Sequence, residues 1–262
     1  MNLAAAESAV RAAAAEGADL VVLPEKWPLL AGDSATAAGA DRIDGPAMSL
    51  CSSLAAELEL DLVAGSFAEL IEGSDRLRNT CVHFGPDGAV RASYSKIHLF
   101  DAEVAGRSYR ESDLFEPGEG PVLTELADGT IAGLAICFDL RFPRLFASLA
   151  AAGAEVICLP AAFTRETTEA HWRLLLCARA VETGCHVIGA NQAGRDGADR
   201  PSGGRSMIVA PDGVVLSTLG PDGQGVAVAA IDRDLREHVR MAMPLTKLAR
   251  PEAVAEPRTG GR

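Results

Sequence analysis

Apolar residues recur at helical spacing near the start of the chain and then gather into continuous runs. Residues 2–16 place small and apolar side chains on one helical face, and Gly17 follows as a helix-ending residue. Residues 19–23 are almost entirely apolar and end at Pro24, which is typical of a parallel strand buried on both faces. The same patterning predicts a helix over residues 46–59 and strands over residues 61–67, 78–84 and 89–95.

The rest of the chain continues as alternating strands and helices after a region without periodicity. Residues 96–120 are predicted to be a loop. Further elements are strands over residues 122–126, 130–136, 153–160 and 185–190, and helices over residues 143–152 and 167–182.

Two stretches of the second part repeat stretches of the first. Residues 153–160 (Gly-Ala-Glu-Val-Ile-Cys-Leu-Pro) follow residues 17–24 (Gly-Ala-Asp-Leu-Val-Val-Leu-Pro) at a distance of 136 positions. Residues 211–213 repeat the hairpin-turn signal Pro-Asp-Gly of residues 86–88 after 125 positions. We therefore predict an α/β fold built twice, as two mixed sheets packed face to face in a four-layer α-β-β-α sandwich. A single doubly wound sheet is the alternative.

The repeat also indicates that the first half lacks a strand. Aligning Pro24 with Pro160 places the strand predicted over residues 130–136 before the first residue of the chain. We expect either that the natural start lies about ten residues upstream or that one sheet keeps an unfilled strand position, with unpaired backbone groups beside it.

Charge and cysteine content narrow the classes of function. A net charge of −12 without an acidic tail argues against non-specific binding to nucleic acid or anionic lipid. No apolar run approaches the ~18 residues of a membrane span. The six cysteines form no CxxC pair, which weakens zinc, iron–sulfur and disulfide-scaffold interpretations. We expect a soluble, cytoplasmic protein that binds neither nucleic acid nor membrane and holds no metal.

Cys137 stands where the strand predicted over residues 130–136 gives way to a helix. A thiol at such a corner faces the first N–H groups of the helix, whose partial positive charge favours a thiolate or an oxyanion. This position suits a nucleophile. The alternative is that Cys137 is one more small buried residue.

The repeat singles out two further charged residues. Glu25 stands where the second half has Ala161, and Lys96 stands where it has Pro221. Either residue alone could be a solvated charge at a strand end. Because both follow strand ends on the edge where the cysteine also emerges, the three together indicate an acyl-transfer site.

Three motifs resemble those of the nitrilase, or carbon–nitrogen hydrolase, superfamily. They are Leu-Pro-Glu-Lys-Trp at residues 23–27, Tyr-Ser-Lys-Ile-His-Leu-Phe at 94–100 and Ile-Cys-Phe-Asp-Leu-Arg-Phe-Pro at 136–143, in the family's order and with similar spacing. The resemblance covers nearly the whole chain. It implies the α-β-β-α sandwich, no metal or organic cofactor, and homodimers or higher homo-oligomers. The family domain is expected at residues 1–247 and a C-terminal tail at residues 248–262.

The resemblance also implies a Glu25–Lys96–Cys137 triad, with roles that agree with the chemistry of these side chains. Glu25 is the general base toward the thiol and later toward water. Lys96 and the backbone N–H of Phe138 hold the oxyanion. A thioester forms on Cys137, ammonia leaves and water releases the acid.

A fourth carboxylate is expected in the middle of the chain. Glu111 matches the positioning carboxylate that the family carries there. The alternative is that it belongs to an ordinary charged loop, in which Glu116 is a neighbour of similar chemistry.

Arg141 is the candidate for substrate binding. It lies four residues after Cys137, close enough for its guanidinium to reach a substrate carboxylate, as the matching arginine does in the N-carbamoyl-amino-acid hydrolase branch. The alternative is a pair with a neighbouring carboxylate such as Asp139. Residues 161–164, 171–172 and 191–194 resemble the amidases of deaminated glutathione and of ω-amides of 2-oxo acids, and His171 and Trp172 are expected to pack.

We therefore expect cysteine-dependent hydrolysis of a small carboxylate-bearing amide. An N-carbamoyl-amino-acid amidohydrolase and an amide-dependent acyltransferase are the alternatives within the family. A scaffold without catalysis would not need the three triad residues. A redox sensor would need a resolving thiol, and no other cysteine lies within twenty residues of Cys137.

Overall fold

The computed structural model of the protein describes residues 2–221 and 225–250. These residues contain two separate large sheets and a small hairpin. The first sheet has five strands, β1 (Leu20–Val22), β2 (Asp61–Val63), β3 (Phe67–Leu70), β4 (Leu77–Phe84) and β5 (Val90–Ser95). The hairpin joins β6 (Asp101–Val104) to β7 (Arg107–Arg110). The second sheet has six strands, β8 (Val122–Glu125), β9 (Ile131–Leu134), β10 (Val156–Ala161), β11 (His186–Asn191), β12 (Met207–Val209) and β13 (Val215–Thr218).

Helices cover the outer faces of the two sheets. Those in the first half are α1 (Leu3–Ala15), α2 (Asp33–Ala38) and α3 (Pro46–Leu58). Those after β9 are α4 (Pro143–Ala151), α5 (Arg165–Thr167), α6 (Arg173–Thr183), α7 (Arg233–Ala242) and α8 (Leu245–Leu248). Two 3₁₀ turns, Glu111–Asp113 and Cys137–Arg141, and a π-helical turn, Thr168–Trp172, complete the set.

The internal repeat is present in the hydrogen-bonded register of the strands. β1 pairs parallel with β2, which pairs antiparallel with β4, and β4 continues to β5. β10, β11, β12 and β13 pair in the same order and directions. Even the β-bulge recurs, between His83 and Phe84 in one half and between Ile208 and Val209 in the other. The prediction of one fold built twice is confirmed.

Two apolar cores stabilise the layers. One lies between the sheets and under α4 and α6, and it joins Tyr94 of the first sheet to Leu134 and Val156 of the second. The other lies between the first sheet and helices α1 and α3, with Val10, Leu54 and Leu62 among its members. The layers are therefore helix, sheet, sheet and helix, as predicted, and the single doubly wound sheet is wrong.

Two predicted elements differ in detail. The strand predicted over residues 61–67 is two strands, β2 and β3, because Gly65 turns the chain between them at φ 63°. A Cβ at Gly65 would stand 2.1 Å from the Pro24 carbonyl oxygen, so the close approach requires glycine. The region 96–120, predicted as a loop, contains the β6–β7 hairpin and the 3₁₀ turn that carries Glu111.

β1 is an edge strand within the described residues. Its partner is β2, and Leu20 and Val22 remain partly exposed, although sequence predicted burial on both faces. A groove of about 1490 Å³ runs along it, lined by α1, by residues 126–128 and by residues 225–231. β9, which pairs with β10 on the equivalent side of the second half, has no counterpart here.

The predicted tail, residues 248–262, lies outside the described residues from position 251 onward. Within residues 2–221 and 225–250, the helices are all too short or too polar to cross a membrane.

Candidate active site

Cys137 lies at the corner predicted from the sequence, with one difference in the element that follows. It opens the 3₁₀ turn Cys137–Arg141, and the α-helix α4 begins only at Pro143. Its backbone is left-handed, at φ 49°, a conformation that costs a side-chain-bearing residue about 1–2 kcal/mol. Such a strained residue persists where its surroundings fix it, and functional sites are where they collect.

Asp139 holds this corner in place through hydrogen bonds. Its carboxylate accepts hydrogen bonds from the Ile136 N–H at 2.9 Å and from the Tyr94 hydroxyl at 2.7 Å, and it is fully buried. The backbone N–H of His98 donates to the same carboxylate at 3.1 Å, and the His98 ring nitrogen Nδ1 lies 2.7 Å from it. The turn that carries Cys137 is therefore tied to β5 and to the segment that follows it.

Glu25 follows β1 and points into the interior. It is 3% exposed, and its Oε1 accepts hydrogen bonds from the Lys96 ammonium at 3.0 Å and from the Asn79 amide at 2.8 Å. Lys96 follows β5 and is 1% exposed. Two residues that are 71 positions apart thus form one buried ion pair.

Glu111 completes the group from the turn after the hairpin. Its Oε2 lies 2.8 Å from the Lys96 ammonium and accepts the Phe100 N–H, also at 2.8 Å. Its Oε1 lies 2.7 Å from the ammonium of Lys26. We call Glu25, Lys26, Lys96 and Glu111 the charge cluster. Glu116, the alternative carboxylate, pairs instead with Arg78 at 2.8 Å.

The pKa values of the cluster follow from burial and from its opposite charges. Burial alone would lower the pKa of Lys96, but Glu111 and Glu25 outweigh it and hold that pKa well above the ordinary value. Burial alone would raise the pKa of Glu111, but Lys26 and Lys96 bring it well below its usual range. Both groups are therefore charged at neutral pH.

The pKa of the Cys137 thiol is raised well above its ordinary value. Burial is the largest cause, and the Glu25 carboxylate adds to it, while Lys96 and a hydrogen bond from the backbone of Ala162 act in the opposite direction. The resting cysteine is therefore a thiol. A nucleophile in that state needs a base beside it, and Glu25 is the neighbouring carboxylate.

Phe138 and Arg141 belong to the same 3₁₀ turn as Cys137. Phe138 is the second residue of the 3₁₀ turn, and its ring meets those of Phe100 and Phe142. The Arg141 guanidinium lies 5.9 Å from the Phe138 ring centre and 5.4 Å from that of Phe163. Partial burial lowers the pKa of Arg141, and the nearby Cys137 opposes this shift.

Arg141 does not make the ion pair with Asp139 that sequence left open. The Asp139 carboxylate is occupied by Tyr94, Ile136 and His98. Across residues 2–221 and 225–250, no carboxylate lies within ion-pair distance of Arg141. Its polar neighbour is His171 Nδ1, at 3.4 Å from one guanidinium nitrogen.

The predicted packing role holds for Trp172 and is wrong for His171. Trp172 is completely buried and donates its indole N–H to the Arg205 carbonyl at 2.7 Å. His171 is exposed and stands beside Arg141. The two residues are adjacent in a helical turn, where consecutive side chains do not share a face, so one faces the core and the other the surface.

The sequence assigned no role to three residues that the structure places in the site. Asn79 donates to Glu25 and, at 3.2 Å, to Glu111. Gln192 donates to the Glu25 carbonyl at 3.0 Å. Lys26 belongs to the first motif, but nothing in that motif indicated contact with the middle of the chain. In the described part of the chain, no three or more His, Cys, Asp and Glu side chains are grouped so that they could hold a metal ion.

Known proteins resemble this chain over most of its length. The family model described as carbon–nitrogen hydrolase matches residues 1–241. The chloroplastic omega-amidase of Arabidopsis thaliana is 35% identical over 95% of this chain and 68% of its own length. The deaminated glutathione amidase of Mus musculus is 39% identical over 93% of this chain and 76% of its own.

Solved structures agree with these relatives. Saccharomyces cerevisiae Nit3, a member of branch 10 of the nitrilase superfamily, superposes with a TM-score of 0.84 at 29% identity over 94% of this chain and 89% of its own. A mutant of the amidase from Nesterenkonia sp. AN1, in a structure that shows the result of Michael addition of acrylamide at its active-site cysteine, superposes with a TM-score of 0.76 at 29% identity over 93% of this chain and 91% of its own. The chain therefore belongs to the carbon–nitrogen hydrolase family of the nitrilase superfamily, and it is an amidase, a hydrolase of carbon–nitrogen bonds other than peptide bonds.

Proposed function

We propose that this amidase hydrolyses the C–N bond of a small carboxylate-bearing amide through a thioester on Cys137. The observation that carries the proposal is the buried Cys137 thiol beside a charge cluster that contains both a carboxylate base and an ammonium. General base and electrostatic stabiliser thus converge on one nucleophile.

Acylation begins with proton transfer from the Cys137 thiol to the Glu25 carboxylate as sulfur bonds to the amide carbon. The carbonyl oxygen becomes an oxyanion, which the Lys96 ammonium and the Phe138 N–H stabilise, a contribution of about 3–4 kcal/mol for a donor in comparable sites. Glu25 then gives its proton to the amide nitrogen, the C–N bond breaks and ammonia leaves. The acyl group stays on sulfur as a thioester.

Deacylation repeats these steps with water in place of the thiol. Glu25 takes a proton from water, the new oxygen–carbon bond forms, and the second oxyanion uses the same two donors. The C–S bond breaks, and the returning proton restores the Cys137 thiol while the carboxylic acid leaves. Glu111 acts through Lys96, because its bond at 2.8 Å holds the ammonium in place.

Trapping the intermediate tests this mechanism. The enzyme is mixed with 2-oxoglutaramate or deaminated glutathione, quenched in acid within its first turnover and mapped by peptide mass spectrometry. We expect the acyl mass on the peptide that contains Cys137, and ammonia in equal amount. Acylation of a residue other than Cys137 would contradict this mechanism. The Glu25→Gln variant should turn over little substrate, and substantial turnover by it without an acyl adduct on Cys137 would also contradict the mechanism. Acid release with and without amine acceptors distinguishes hydrolysis from acyl transfer, since an acyltransferase would release little acid when no amine is present.

We also propose that Arg141 binds the substrate carboxylate. Its guanidinium lacks a carboxylate partner in the described residues, lies near Cys137 and is held over two aromatic rings. Arg141→Ala is expected to raise KM for carboxylate-bearing amides about tenfold or more, because a charge-assisted pair is lost. KM for neutral amides of similar size serves as the control. Equal effects on both substrate classes would remove Arg141 from the binding site.

A homodimer in the cytoplasm completes the proposal. Exposed apolar side chains lie together on α6 and the β12–β13 hairpin, including Val181, Val214 and Leu216, and such a patch favours contact with a partner subunit. Sedimentation of the protein and of a Val214→Asp variant tests the interface. A wild-type monomer would overturn it.

All six cysteines are free, which fits a reducing compartment such as the cytoplasm.

A further inference from the structure

Lys26 is the member of the charge cluster for which the mechanism above has no role. It directly follows the proposed base Glu25, yet its side chain turns to another partner. Its ammonium lies 2.7 Å from Glu111 Oε1 and 4.1 Å from the centre of the Phe115 ring. The side chain is 14% exposed, so solvent compensates little of this charge.

The backbone at Lys26 is built for this contact. Its φ is 48°, in the left-handed region that side-chain-bearing residues seldom adopt, and its N–H donates to Ser66 Oγ at 3.0 Å. Holding a lysine there costs of order 1–3 kcal/mol. Cys137 has nearly the same φ, 49°, so both residues hold a backbone conformation that the surrounding structure must keep in place.

The charge count shows what the lysine changes. Glu25, Glu111 and Lys96 alone would carry a net charge of −1, and this excess would persist when the oxyanion forms, because the proton that Glu25 takes up balances the new negative charge. With Lys26 the cluster is neutral before reaction. Each oxygen of Glu111 then has its own ammonium, Oε1 with Lys26 and Oε2 with Lys96.

We propose that Lys26 is a positioning residue of the active site: it neutralises Glu111 and fixes its orientation, so that the positive charge of Lys96 acts on Cys137 and the oxyanion. This proposal rests on the proposed function of Cys137, Glu25 and Lys96. Lys26 touches neither substrate nor sulfur and acts through Glu111. Without it, Glu111 either draws Lys96 away from Glu25 or takes up a proton and releases Lys96.

The test compares Lys26→Met, Lys26→Arg and the control Lys247→Met, which makes the same change at an exposed lysine of α8. We expect Lys26→Met to lower kcat about tenfold or more with a smaller change in KM, and Lys26→Arg to restore most of the rate. The acid limb of kcat/KM should move to higher pH by about one unit or more, since the loss of a nearby cation raises the pKa of Glu111. Lys247→Met should match the wild type.

A double-mutant cycle then separates this role from packing. If Lys26 acts through Glu111, Lys26→Met should add little to the loss already caused by Glu111→Gln. Melting temperature is recorded for every variant. A wild-type rate and pH profile in Lys26→Met, additive losses in the cycle, or a fall in melting temperature with no shift of the acid limb would each overturn the proposal.

One readout does not depend on the substrate. The rate of iodoacetamide labelling of Cys137, followed by peptide mass spectrometry, should fall in Lys26→Met and recover in Lys26→Arg. If labelling responds in this way while no amide is turned over by the wild type, the role of Lys26 stands and the proposed substrate class is wrong. If turnover proceeds through Cys137 but labelling is unchanged, the role of Lys26 is wrong.

Discussion

The two halves of the chain have the same strand pairing and the same β-bulge, yet they differ at the end of their first strands. β1 leads to Glu25 and Lys26, whereas the equivalent positions at the end of β10 are Ala161 and Ala162. Lys96 in the first half corresponds to Pro221 in the second. Because the second half forms its sheet with neutral residues at these positions, the architecture does not require the charges.

The difference between the halves also affects the stability of the fold. Glu25 and Lys96 bury charges that are expensive to remove from water, and their mutual attraction offsets that cost only while both are present. Ala161 is fully buried and carries no such cost. The first half therefore contains a buried ion pair that the stability of the fold does not require, as is expected of a functional site.

Removing the nucleophile should give the largest effect. Cys137→Ala is expected to lower kcat by about 10⁶, as in comparable enzymes that lose a nucleophile, because no other group can form the acyl bond. Ammonia release and melting temperature are measured together. Cys177→Ala, on α6, is the matched control and should keep its rate. Near-normal ammonia release by Cys137→Ala would contradict the proposed chemistry.

Making the first half resemble the second should come next in size. Glu25→Ala installs the residue of the second half, and Lys96→Met removes the ammonium at similar length. Each is expected to lower kcat by about 10³ or more, and the double variant should be little worse than either single variant, because the two act as one unit. Steady-state rates of all four proteins provide the cycle. Additive losses would mean that the two charges act independently.

Making the second half resemble the first should cost stability. Ala161→Glu buries a carboxylate without an ammonium opposite, at a cost of about 3–5 kcal/mol, or about 10 °C in melting temperature. Ala161→Gln, of equal size and no charge, is the control for packing. The difference between the two variants should shrink as pH falls, since a protonated carboxyl carries no charge. Equal melting temperatures at neutral pH would show that both halves can hold a charge here.

The smallest effect is expected at the two equivalent turns. Gly88 and Gly213 have φ of 76° and 87°, so alanine at either should cost about 1–2 kcal/mol. A Cβ at Gly88 would stand 2.7 Å from the Ser52 carbonyl oxygen, whereas at Gly213 it would meet the end of the Val181 side chain at 2.9 Å. Since a side chain can move and a backbone cannot, Gly88→Ala should melt lower than Gly213→Ala. The reverse order would show that the two hairpins are held differently.

Much of this fold could be predicted from the sequence because similar strand and turn patterns occur in both halves of the chain. Helices α1, α3 and α4 and strands β1, β4, β5, β8, β9 and β11 lie within two residues of the predicted bounds. The hairpin between Lys96 and Glu111 was missed because β6 and β7 are each four residues long and mostly exposed, too short for a strand pattern to be recognised. The division of one strand at Gly65 was missed because the turn depends on a contact with Pro24, far along the chain.

The candidate site shows the same limit. Glu25, Lys96 and Cys137 could be predicted because each differs from its counterpart or stands at a recognisable corner. Asn79 could not, because an asparagine inside β4 looks like any polar strand residue until its bonds to Glu25 and Glu111 are seen. The partner of Lys26 was likewise hidden, since Glu111 is 85 positions away.

The near-complete burial of the charge cluster has a consequence for how the enzyme responds to ionic strength. Dissolved ions screen exposed charges beyond about 8 Å at physiological salt but do not enter a site whose side chains are 1–14% exposed. The chemical step should therefore proceed alike in dilute buffer and in concentrated salt. The surface differs, because its net charge of −12 repels a carboxylate in solution, and added salt relaxes that repulsion. If the substrate is the carboxylate-bearing amide proposed above, added salt should change how often it reaches the site and leave the rate of the chemical step unchanged.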